Sequence, residues 1–141
     1  MLIDGYKFDL RIYVAITSIN PLRIYMYEEG LARFATEPYS NDDHENKFSH
    51  LTNYSINKYS EHFVENKSAR EDFVGSKRSL SYFKNLLRDR NISDSYIFDK
   101  IKDIIIKTII SIEGMIINHF EAHVPYRNNC FELLGFDILI D

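Results

Sequence analysis

The sequence predicts an α+β fold, an antiparallel sheet with packed helices, and three patterns predict it. Residues 7–18 alternate strictly between polar and apolar side chains. Ile97, Ile101, Ile104, Ile105, Ile109 and Ile112 recur at a helical period. A second apolar extended run, Cys130 to Asp141, follows them. Alternation with period two belongs to a half-buried strand, and spacings of three and four belong to a helix with one buried face. Composition permits the core these elements need. Of 141 residues, 45% are hydrophobic and 14% aromatic, enough for one domain or part of one and too much for disorder.

Each element has its own justification. In strand 7–18, Phe8, Leu10, Ile12, Val14 and Ile16 fall on one side, while Lys7, Asp9, Arg11 and Tyr13 fall on the other. Turns at Asn20-Pro21 and at Glu28-Glu29-Gly30 predict a meander with further strands at 22–28 and 31–36. Residues 38–76 show neither period and hold a polar cluster, Asn41 to Asn46, with a second polar stretch around Glu65–Asp72. They predict a long loop with short helical pieces, and loops of that length inside a domain are usually functional. Helices are expected over about 78–120. Ser79 caps the first, with Leu80, Phe83 and Leu87 inward; Ser93 or Asp94 caps the second, whose isoleucine stripe packs on the sheet. Charges at Lys100, Lys102, Asp103, Lys107 and Glu113 interrupt that helix too often for a membrane span. In the last strand, 130–141, Asp137 stands among Phe136, Ile138, Leu139 and Ile140. A carboxylate in so apolar a setting calls for an Arg or Lys partner, such as Arg11, or for a metal.

Charge and cysteine usage narrow the function classes. The net charge of −4 argues against a general nucleic-acid binder. Residues 77–107 carry eight cations against four anions, which fits either a solvated helical surface or a face for an acidic partner. The single cysteine, Cys130, excludes an internal disulfide, fits a reducing compartment, and predicts a small buried side chain. The opening Met-Leu-Ile-Asp-Gly holds no signal-peptide core.

The chemistry resides in the polar side of the first strand. Lys7, Asp9 and Arg11 place a cation, an anion and a cation at i, i+2 and i+4. Such a row either closes on itself as a surface salt-bridge ladder or meets a charged ligand in a geometry fixed by the sheet. Combined with a loop rich in hydroxyl and amide groups (His50-Leu-Thr-Asn-Tyr-Ser55) and with Asp137, it forms an inventory for a triphosphate with magnesium. There is no Gly-rich lysine motif of the P-loop type, no H-E-x-x-H, no paired cysteines and no G-x-S-x-G. The five histidines are scattered without metal-ligand spacing.

These words together resemble the tubulin–tyrosine ligase-like family, ATP-dependent amino acid ligases of the ATP-grasp fold. The matching segments are Lys7-Phe-Asp-Leu-Arg-Ile-Tyr-Val14, Pro21-Leu-Arg-Ile-Tyr25, Glu29-Gly-Leu-Ala-Arg-Phe-Ala-Thr-Glu-Pro-Tyr39 and His50-Leu-Thr-Asn-Tyr-Ser-Ile-Asn-Lys58. Gly75-Ser-Lys77, Ile104-Ile-Ile-Lys-Thr-Ile-Ile-Ser111 and the run from Cys130 to Asp141 follow in order. Tyr54-Ser55 after His-Leu-Thr-Asn resembles the polyglutamylase branch. The resemblance implies the central part of an ATP-grasp-like ligase core. It also implies that family segments before Lys7 and after Asp141 complete the nucleotide and magnesium sites, so that this polypeptide alone is inactive.

By that resemblance Lys7 and Asp9 contact ATP, with Arg11 beside the phosphates and the reacting centre. Thr52 and Asn53 are nucleotide contacts and Asp137 a Mg2+ ligand. Arg33, Tyr54, Ser55 and Lys77 bind free L-glutamate, Arg gripping the α-carboxylate with its fork and Lys77 meeting the second carboxylate. The implied reaction is tubulin polyglutamylation: ATP converts a glutamate side-chain carboxylate in an acidic tubulin tail to an acyl phosphate, and the amine of the incoming glutamate displaces phosphate. The implied setting is the cytoplasm and its microtubules, cilia and basal bodies included, with no nucleic acid or membrane as partner. The alternatives are a non-catalytic microtubule- or nucleotide-binding module and a tubulin glycine or tyrosine ligase. Of these, glycine would need only one cation where Arg33 and Lys77 supply two.

Overall fold

A computed structural model describes residues 1–66, 75–126 and 130–141. Most of the polar stretch around Glu65–Asp72 thus lies outside the described residues. Four strands form one antiparallel sheet: β1 (Phe8–Ile19), β2 (Leu22–Phe34), β3 (Lys77–Ser79) and β4 (Glu132–Ile138), in the order β3-β2-β1-β4. The α+β architecture is therefore as the two periodicities require. Two short helices, α1 (Lys47–His50) and α2 (Tyr54–Asn57), occupy the loop region, and α3 (Leu80–Asp89) and α4 (Asp94–His123) follow β3.

The alternation of β1 divides the sheet into two faces. Phe8, Leu10, Ile12, Val14 and Ile16 are buried against Leu80, Phe83 and Leu87 of α3 and Phe98, Ile101, Ile105 and Ile109 of α4. Burying a side chain of this size stabilises by about 1.5–3 kcal/mol, so this layer is what holds the sheet on the helices. The opposite face receives Asp9, Arg11 and Tyr13.

The caps fall where expected. The Ser79 hydroxyl accepts from the Tyr82 amide at 2.9 Å, and that of Ser93 accepts from the Tyr96 amide at 3.3 Å. Asp94, the first residue of α4, pairs with Arg88 at 2.6 Å, and that hydrogen bond holds its carboxyl below the ordinary range. The basic stretch is spent the same way: Lys102 pairs with Asp99, Lys107 with Asp103, and Arg90 with Asp4. The part of the stretch on the helices is a solvated surface of local ion pairs, while Lys77 and Arg78 lie on β3.

Four expectations need correction. Glu28-Glu29-Gly30 is not a turn; β2 runs through it. Ile12 pairs with Gly30 but Val14 with Met26, so two extra residues bulge from β2 between those pairs. Gly30 is required there because a Cβ would overlap the carbonyl oxygen of Arg11. Residues 77–79, which overlap the start of the expected helices at about 78, form the edge strand β3, and α3 begins at Leu80. The buried stripe of α4 includes Phe98, whereas Ile104 and Ile112 are exposed. Cys130 is exposed, not buried.

Candidate functional site

Strand register assembles the polar face. Asp9 on β1 lies opposite Arg33 on β2, which lies opposite Lys77 on β3. Two residues along β1, Arg11 lies opposite Asp137 on β4. Directly opposed residues project to the same side. Two adjacent rows therefore present Asp9, Arg11, Arg33, Lys77 and Asp137 on the face turned from the helices. Lys7, two residues before Asp9, extends the set.

Four of these charges neutralise one another. Arg33 donates from Nε to Oδ1 of Asp9 at 2.8 Å and from Nη2 to Oδ2, and the same Nη2 lies 2.9 Å from Oδ1 of Asp137. Arg11 donates to Asp137 from Nε at 2.6 Å and from Nη2 at 3.3 Å. The result is a continuous chain Asp9–Arg33–Asp137–Arg11. Its ends differ in burial: the side chains of Arg33 and Asp9 are 9% and 7% exposed, those of Arg11 and Asp137 30% and 45%. The hydrogen bond from Arg11, with that from Arg33, holds the Asp137 carboxyl below its ordinary value. Arg11 is raised chiefly by its bond to Asp137, and Arg33 chiefly by its bond to Asp9.

Asp137 is thus paired with Arg11, but its apolar sequence neighbours do not surround it. Phe136 and Ile138 pack against the core while Asp137 points to the open face. It offers one hard oxygen donor group. Magnesium is commonly held by one or two carboxylates with substrate phosphates supplying further ligands. Asp137 therefore fits as one ligand of a nucleotide-bound magnesium. No group of three His, Cys, Asp or Glu side chains among the described residues makes a metal site unaided.

One loop residue, Tyr54, flanks this face at its β3 edge. The Lys77 ammonium sits 3.7 Å from the centroid of the Tyr54 ring. Ser55 is exposed beside Tyr54, Thr52 is buried, and the Asn53 side chain makes no cap bond to α2. Two groups of expected site residues therefore come together: Asp9, Arg11, Arg33 and Asp137 in contact, and Lys77 with Tyr54 one strand away. No hydrogen bond or ion pair joins the side chains of Lys7, Thr52, Asn53 or Ser55 to either group among the described residues.

Residues 1–141 match the model of the tubulin-tyrosine ligase family. The chain belongs to that family. It is 51% identical over 148 residues to the tubulin polyglutamylase TTLL13 of Mus musculus, covering 99% of this chain and 18% of that protein. The tubulin polyglutamylase TTLL6 of Homo sapiens is 49% identical over 146 residues, covering 99% of the chain and 16% of the relative. TTLL5 of Mus musculus, also a tubulin polyglutamylase, is 46% identical over 143 residues, covering 100% and 11%. The chain spans less than a fifth of the length of these curated relatives.

Two residues that position this polar face carry weak sequence signals or none. A Cβ on Gly135 would stand 3.2 Å from Cδ and 3.4 Å from Nε of Arg11. The bare backbone there lets the Arg11 side chain lie across β4 to reach Asp137. A glycine inside an otherwise apolar strand is the available signal. Asn57 is fully buried; its Oδ1 accepts from the Thr36 amide at 3.1 Å and hydroxyl at 2.8 Å, and its Nδ2 donates to the carbonyls of Leu51 at 2.7 Å and Asn53 at 3.2 Å. It ties the segment carrying Thr52, Asn53 and Tyr54 to the chain leaving β2. Nothing in the sequence separates Asn57 from the other asparagines of the loop.

Proposed function

We propose that this chain is the central part of an ATP-grasp ligase that adds glutamate to glutamate side chains in tubulin tails, acting in the cytoplasm on microtubules. The observation that carries the reading is the assembly, on one sheet face, of Arg11, Arg33, Lys77 and Asp137 in a chain matched throughout by proteins named tubulin polyglutamylases. ATP would activate the acceptor carboxylate as an acyl phosphate, and the amine of free glutamate would then displace phosphate. Magnesium, when bound, supplies positive charge to phosphoryl oxygens.

This chain's own residues have distinct tasks. Asp137 would hold the metal, Lys7 and Arg11 would meet phosphate oxygens, and Asp9, Thr52 and Asn53 would contact the nucleotide. Arg33 and Lys77, adjacent across the β2–β3 ladder, suit the two carboxylates of glutamate, with Tyr54 and Ser55 orienting it. Removing one preorganised donor to developing charge typically costs about 3–4 kcal/mol, a hundred- to thousandfold in rate. Incubating the full-length protein with ATP, radiolabelled glutamate and tubulin tests the proposal. Labelled tubulin that disappears with Arg11→Ala or Asp137→Ala supports it. Microtubule co-sedimentation without label identifies a binding module, and preferential incorporation of glycine or tyrosine replaces the substrate.

A further inference from the structure

The linked part of the polar face is electrically closed. Asp9, Arg33, Asp137 and Arg11 sum to zero charge, and both oxygens of Asp137 already accept from guanidinium groups. A divalent cation arriving alone would meet two guanidiniums. A phosphate arriving alone would meet two carboxylates. The four linked charges by themselves draw in neither, yet the two together restore their balance; Lys7 and Lys77 stand outside this chain and leave the face as a whole positive.

We infer that Asp137 is an exchange point: the cation displaces Arg11 from Asp137, and the freed guanidinium meets the phosphate, so that the two ligands bind cooperatively. The inference rests on the magnesium–nucleotide reading above and adds how the two ligands are coupled. The structure favours Arg11 as the group that moves. Its side chain is 30% exposed, against 9% for Arg33, and lies over the bare backbone of Gly135. Arg33 is held by both oxygens of buried Asp9 and keeps its place when Asp137 turns to the metal. Coupling of this kind is reciprocal: the factor by which the metal tightens the nucleotide is the factor by which the nucleotide tightens the metal. Arg11 is then a competitor of the metal before phosphate arrives, and not merely an aid to orienting Asp137.

The two roles give opposite results when Arg11 is removed. The test is Mn2+ binding to the full-length protein without nucleotide, followed by electron paramagnetic resonance of the free ion. Arg11→Gln should bind Mn2+ about threefold more tightly than wild type, the scale of one partly exposed ion pair. Binding of a non-hydrolysable ATP analogue, compared with and without Mn2+, should show a smaller metal effect in Arg11→Gln than in wild type. Mn2+ binding by Arg11→Gln that is equal to or weaker than wild type overturns the exchange, as does an undiminished metal effect. Asp137→Asn separates the levels. If it loses Mn2+ while Arg11→Gln gains nothing, the exchange alone falls; if it binds Mn2+ like wild type, the magnesium reading falls with it.

Discussion

The buried link between Asp9 and Arg33 makes a prediction whose asymmetry comes from the geometry. Arg33→Met removes both donors to the Asp9 carboxylate and leaves that carboxylate, 7% exposed, without its partner. Asp9→Ala removes one of two partners, since Arg33 keeps its contact with Asp137 at 2.9 Å. Removing one member of a buried ion pair costs about 3–5 kcal/mol. Arg33→Met should fall in that range and Asp9→Ala about 1–2 kcal/mol lower, because a half-exposed second carboxylate still compensates the guanidinium. The double variant leaves no unpaired buried charge, and its cost should fall short of the sum of the single variants by about 2 kcal/mol. Urea unfolding of the purified protein, with m-values compared between variants, measures all three. Equal single costs, or a double variant that is additive, would refute the reasoning.

Three further outcomes follow from the same face. Gly135→Ala places a methyl 3.2 Å from Cδ of Arg11, so that side chain must shift by a few tenths of an ångström; stability should change by less than about 1 kcal/mol while affinity for an ATP analogue falls several-fold, and unchanged affinity contradicts it. Asn57→Ala strands the hydrogen-bond partners of a fully buried side chain and should cost about 2–4 kcal/mol in urea unfolding, a loss under about 1 kcal/mol counting against its anchoring role. Asp137, depressed in the folded state chiefly by Arg11, contributes stability above its unfolded value near pH 3.9 and loses it as pH falls through the lower folded value. The stability gap between wild type and Asp137→Asn should hold steady from about pH 7 to 5 and close below about pH 4; a gap that widens on acidification is the contrary result.

The sequence made the face of each strand legible and left the pairing between strands hidden. Alternation in 7–18 separates Leu10 and Ile12 from Asp9 and Arg11 whatever the fold around them. Both helix caps were readable because Ser79 and Ser93 act on amides three residues away. The partnership of Asp9 with Arg33 was not. Counting back from Ile19 opposite Leu22 along a regular ladder would set Asp9 against Ala32, an apolar core residue. One extra residue on β1 between Ile16 and Ser18, then two on β2 between Met26 and Gly30, shift the register so that Arg33 arrives instead. Bulges depend on packing on both sides of a strand, and a one-residue slip exchanges its faces. The pairing of Asp137 with Arg11 was legible, but its apolar setting was misjudged for a related reason: Phe136 and Ile138 are neighbours in sequence, and alternation turns them to the other side of β4.

The central claim is that this face, whose Asp9–Arg33–Asp137–Arg11 chain closes on itself without ligand, receives a nucleotide and an amino acid. It is tested most directly by a crystal structure of the full-length protein with a non-hydrolysable ATP analogue, magnesium and glutamate. The account predicts magnesium on Asp137, Arg11 turned to the phosphates, and glutamate carboxylates at Arg33 and Lys77. Ligands bound elsewhere, with Arg11 and Arg33 still closed on Asp137, would contradict it.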